Sequence, residues 1–114
     1  MIRLAMIAFL LATPALSAED VETKEVSCGY QADVVAAIQK ARLDRVRESK
    51  VADKIAADDP QWPEKYNAAI PQLTAWIYEQ KRRDLRKVDL AEQLREQCIE
   101  NWDAIQEATK DLNN

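Results

Sequence analysis

Between residues 29 and 110, apolar positions recur at intervals of three and four, the period of an α-helix that buries one face. Ala32, Val35, Ile38, Arg42 and Val46 form one such stripe, widened by Val34 and Ala41, and predict an amphipathic helix over 29–47. Ser49 offers an N-cap to a short second helix bearing Val51, Ala52, Ile55 and Ala56, which must stop before Pro60. The pattern leaves open whether this piece continues the first helix. Residues 58–67, DDPQWPEKYN, contain two prolines and an Asp-Pro step, and predict a loop that divides the chain into two helical halves. Beyond it, Asn67 as a cap and Pro71 in the first turn open a helix to residue 81, with Ile70, Leu73, Thr74 and Ile77 on one face and Trp76 widening it. Asp89, with Glu92 three positions on, starts a last helix over 89–109, along which Ala91, Leu94, Cys98, Trp102 and Ile105 stack. No alternating β-branched run and no Asn-Gly turn interrupts this pattern, so the expected fold is all-α, a small bundle of three or four helices.

The ends read differently. Residues 1–18 carry one positive charge at Arg3, an apolar run from Leu4 to Ala12, then Pro14 and small residues, the build of a secretory signal peptide cut after Ser17 or Ala18. The run is shorter than the ~20 apolar residues a membrane span needs, so no stable span is expected after cleavage. Residues 19–27 are acidic and without period, a flexible lead-in; the helical domain is expected over 28–110, with 111–114 frayed. The expected localisation is periplasmic or secreted.

Composition narrows the chemistry. The 114-residue chain has no His and one Gly, Gly29, which removes imidazole bases and His-metal sites and speaks against glycine-rich phosphate loops. Its 16 Lys and Arg stand against 20 Asp and Glu; without the leader the count is 15 against 20, a formal charge of −5. Nucleic acid is not the expected partner. Ser27 and Ser49 have no base to activate them, and Asp58, Asp59 and Glu64 lack the spacing and turn glycine of a calcium loop, so neither an enzyme, a cofactor nor a metal site is expected.

An exported chain with two Cys predicts one disulfide, Cys28–Cys98, enclosing most of the mature chain. Closing a loop of about 70 residues is worth roughly 4 kcal/mol on the chain-entropy model.

The segments Cys28-Gly-Tyr-Gln, Ile38-Gln-Lys-Ala-Arg42, Ile70-Pro-Gln-Leu-Thr74 and Trp76-Ile-Tyr78, with the late Cys98, resemble small uncharacterised exported two-cysteine proteins of Gram-negative bacteria. That resemblance implies a helical fold and an exported location only. In size and cysteine count the chain is also similar to periplasmic acid-stress chaperones of the HdeA type.

Three features are candidates for binding. The connector 81–87 has five positive residues and one acid, and Arg82, Arg83, Arg86 and Lys87 either dock an anionic envelope component or acidic protein face, or complement a helix C-terminus and solvate a turn. Arg42 falls on the apolar stripe, where it organises the bundle by burial against a carboxylate or a Tyr hydroxyl, snorkels to the surface, or binds an anion. Trp62, flanked by Pro60 and Pro63, and Tyr66 either form an aromatic recognition element or fold back to plug the bundle end. The leading expectation is therefore a non-enzymatic exported binding or accessory factor of the cell envelope. The alternative is an acid-stress chaperone, loosened when its carboxylates protonate.

Overall fold

The computed structural model describes residues 22–113. Its elements are α1 (Lys24–Leu43), α2 (Val51–Ala57), α3 (Ile70–Tyr78), α4 (Arg82–Leu85), α5 (Leu90–Glu100) and α6 (Trp102–Asn113), with 3-10 turns at Glu48–Lys50 and Glu64–Ala69. No strand occurs among the described residues, and the fold is all-α as expected. The leader 1–18 lies outside the described residues.

Helix α1 is the axis of the bundle, packed along α5 and flanked by α2 and α3. It opens at Lys24, inside the stretch expected to be a flexible lead-in, because Thr23 caps it: the Thr23 Oγ1 accepts from the Val26 N–H at 3.3 Å, and Glu25 sits favourably in the first turn. This turn carries little apolar periodicity because Val26 is exposed, so a cap and not a stripe defines it. The expected buried face is present: Ala32, Val34, Val35, Ile38 and Ala41 point into the core.

Helix α1 also ends earlier than the stripe suggests, at Leu43 and not near residue 47. Its end is a Schellman turn: the Val46 N–H reaches the Ala41 carbonyl at 2.9 Å and the Arg45 N–H reaches the Arg42 carbonyl at 3.2 Å. Arg45 itself takes φ 62°, the left-handed region normally given to glycine. The second helix is thus separate, and Ser49 lies within the 3-10 turn instead of capping it.

Val51 and Ile55 of α2, Ile70 and Ile77 of α3, Leu85 of α4 and Leu90 of α5 complete the core around α1. Helix α3 has Pro71 in its first turn, as the sequence predicts, but its N-cap is Ala69 and not Asn67. Trp76 does not widen the buried face; it is 46% exposed, one step off the Ile70–Thr74–Ile77 stripe. Asp89 caps α5 as expected, its Oδ1 accepting from the Glu92 N–H at 3.0 Å.

The predicted last helix is divided. Asn101 stops α5, its side-chain amide donating to the Gln97 carbonyl at 2.8 Å, and α6 restarts at Trp102. The re-aimed α6 leaves Ile105 45% exposed and Trp102 half-buried, where the periodicity had both stacking with Cys98. Helix α6 runs to Asn113, through most of the stretch expected to fray.

The disulfide Cys28–Cys98 is formed, joining the second turn of α1 to the last turn of α5 across a Cα–Cα distance of 5.6 Å. Both cysteines are buried. No helix among the described residues is long and apolar enough to cross a membrane.

Candidate functional site: a basic concavity

The end of α1 and the connector between α3 and α5 meet at one place on the surface. There Arg42 and Arg45, from α1 and its terminal turn, join Lys81, Arg82, Arg83 and Arg86 around a shallow concavity of about 450 Å³. The end of α1 and the basic connector, about forty residues apart in sequence, thus form one patch. Lys87 is exposed and does not line it.

Four of the six cations are placed by contacts that can be named. Arg45 is held out from the bundle by the Schellman turn, whose αL position costs a non-glycine residue about 1 kcal/mol. Arg82 and Arg83 lie on α4, a single turn fixed to the core by Leu85, which is 1% exposed. Gln39 of α1 locks that turn, its amide donating to the Leu85 carbonyl at 2.8 Å and to the Val88 carbonyl at 2.9 Å.

Arg42 forms the inner wall. Its guanidinium donates from Nη2 to the Gln80 carbonyl at 3.2 Å, just past α3, and stacks over the Tyr78 ring at 5.0 Å. The expected buried ion pair is replaced by these contacts, and no carboxylate lies within 4 Å of Arg42 among the described residues. A carbonyl at a helix end and an aromatic face satisfy the guanidinium without the desolvation of a second charge. The Arg42 Nε is nonetheless buried without a partner in the protein. Tyr78 is pinned in turn by its hydroxyl, which donates to the Val46 carbonyl at 2.6 Å, and burial pushes its pKa up.

The patch is compensated only in small part. Asp84, 3.9 Å from the Arg83 Nε, is the one carboxylate within 4 Å of a lining cation among the described residues. Arg82 is consequently held below the ordinary guanidinium pKa, first by Arg45, then by desolvation and by Arg42 and Arg86. It remains cationic at neutral pH, as guanidinium does in proteins generally.

The aromatic loop lies apart from the concavity. Trp62 packs against the core, its indole N–H donating to the Asn67 Oδ1 at 2.8 Å, so Asn67 fixes a tryptophan instead of capping a helix. The Tyr66 hydroxyl sits between Glu22 and the Ser27 hydroxyl, 3.0 Å away, with the Tyr30 ring at 5.5 Å and the Lys65 ammonium over its face at 5.3 Å. Both aromatics are thus tied into the frame and half-buried.

A second hollow of about 270 Å³ lies over Ile55, Ala41 and Trp62, rimmed by the pairs Lys40–Asp44 and Lys54–Asp58. No group of three or more metal-ligating side chains assembles among the described residues. No family model, curated protein or solved structure matches the chain.

Arg45 and Gln39 carry no signal that periodicity could detect. The first needs the αL turn to be seen, and the second acts on carbonyls 46 and 49 residues away.

Proposed function

We propose that this is a non-enzymatic exported protein that acts by binding, an accessory factor of the periplasm or secreted space, and that the basic concavity holds an anionic envelope component or the acidic face of another exported protein. The observation that carries this is convergence: six cations from two distant segments share one hollow in a chain whose formal charge is −4. Their mutual repulsion is relieved by an anionic partner, and the field also steers such a partner to the hollow. Support for export comes from the build of residues 1–18 and from the disulfide, a bond that persists in oxidising compartments.

The test combines osmotic-shock fractionation with retention on anionic surfaces, using the wild-type chain and an Arg82→Glu/Arg83→Glu variant. Release by shock, with salt-sensitive retention that the variant loses, supports the proposal. A chain that stays in the cytoplasm, or identical retention of both proteins, overturns it.

A second proposal, an acid-stress chaperone, is supported by Glu22. This carboxylate closes onto Tyr66 and Lys65 at the start of α1, and it is a clasp that acid opens. Suppression of client aggregation at about pH 2–3, with loss of fixed tertiary packing, is expected for a chaperone, and its absence removes this alternative.

A further inference from the structure

We infer that the basic concavity selects a diphosphate-type group, two or more phosphates joined or held within a few ångström of each other, over single phosphates and over carboxylates. This follows only if the hollow is an anion site at all, as proposed above.

The first ground is charge density. Five arginines and one lysine line a hollow of about 450 Å³ with Asp84 at its edge. A phosphate monoester brings only about −1.5 to −2 charges and leaves most of these cations unpaired. An acidic peptide carries one charge per side chain and spreads them along an extended backbone at about 3.3 Å per residue. Linked phosphates concentrate several charges and many acceptor oxygens in one small body.

The second ground is donor type. Guanidinium presents a planar fork that grips two oxygens at once, and five of the six lining side chains carry it. Arg42 is pre-set at the inner wall by the Gln80 carbonyl and the Tyr78 ring, so its side-chain order is present before any ligand arrives.

The third ground is independent of the other two. Arg45 occupies the αL position of a Schellman turn, where glycine fits without strain. A charged residue at a position that favours glycine, beside five other cations, is a stability cost. Binding offsets that cost.

The hollow is shallow, so the rest of the ligand projects into solvent. Two sources share this chemistry: a diphosphate-bearing lipid headgroup at a membrane surface, and a soluble diphosphate ester.

The experiment titrates the oxidised mature chain with inorganic pyrophosphate, inorganic phosphate and sulfate at matched ionic strength, followed by calorimetry and by thermal shift. Saturable binding is expected for pyrophosphate, about tenfold tighter than for phosphate or sulfate, the equivalent of one added charge-assisted contact. The Arg45→Gly variant is the internal control: its melting temperature should rise while its pyrophosphate affinity falls about fivefold to tenfold. Equal affinity for all three anions, no saturable binding, or unchanged affinity in Arg45→Gly overturns the inference.

Poly-glutamate is titrated in parallel. Tight poly-glutamate binding that Arg82→Glu/Arg83→Glu abolishes, without pyrophosphate binding, sinks the diphosphate inference and leaves the anionic-partner proposal standing; failure of both probes sinks both. Flotation with zwitterionic vesicles doped either with a polyprenyl diphosphate or with phosphatidylglycerol then separates the sources. Selective recovery with the polyprenyl diphosphate assigns the lipid source, and pyrophosphate binding without vesicle recovery assigns the soluble one. Equal recovery on both vesicles shows general attraction to anionic membranes and overturns the selectivity.

Discussion

Thr74 and Glu22 show how single side chains set this protein's tolerances. The Thr74 hydroxyl is buried on the core face of α3 and has no hydrogen-bond partner in the protein. Thr74→Val removes an unsatisfied polar atom while keeping the shape, and should stabilise the fold by about 1 kcal/mol, read as a higher urea midpoint with an unchanged slope. Glu22 behaves in the opposite way. The Tyr66 hydroxyl, followed by Lys65, holds its carboxyl below the ordinary range. A depressed carboxyl pKa contributes stability above the unfolded value, near 4.5, and loses it as pH falls through the folded value. Glu22→Gln should therefore be less stable than wild type at pH 6, and the gap should close as the solution is acidified below about pH 4, as followed by urea denaturation at each pH. A gap that stays constant with pH would show that the carboxylate form has no special role.

At the scale of elements, helix interiors and the starts of α3 and α5 were legible in the pattern of residues, and the ends of α1 and α5 were not. The stripes of α1 and α3 and the Asp89 cap stand out in the sequence because burial and capping leave periodic or local marks. The stop at Leu43 comes from a turn that runs through Arg45 with no glycine to announce it. The break at Asn101 coincides with a side-chain amide that joins its own backbone N–H on the Gln97 carbonyl, a contact with no periodic mark. The basic site was half legible: the connector stands out as a charge run, but its union with Arg42 and Arg45 is a tertiary event. Helix α4 is the element that makes this union, and at four residues it cannot persist alone. Its anchor is Gln39. Gln39→Ala should cost about 1–2 kcal/mol and speed hydrogen exchange across 82–88 selectively, because two carbonyls lose their donor. Uniform exchange changes along the whole chain would contradict this local role.

For the whole molecule the disulfide is the dominant constraint, closing a ring with a sequence separation of 70. Replacing both cysteines by alanine should lower stability by about 2–5 kcal/mol, measured against the oxidised chain in urea at pH 7. A shift of less than 1 kcal/mol, on the other hand, would mean that the packed helices already restrict the unfolded chain as much as the bond does.

The placement of that ring also decides how the protein carries load. The covalent path from residue 28 to residue 98 runs directly from α1 to α5 and bypasses the helices between them. Tension applied to the two ends of the chain therefore travels through the sulfur bridge, and α2, α3 and α4 bear none of it. Among the described residues, those before Cys28, with the first turn of α1, and those beyond Cys98, chiefly α6, lie in series with the pull. Held at one end and tugged at the other, the protein would release α6 like slack while the basic concavity kept its shape. Reduction of the bridge would put the concavity itself under strain.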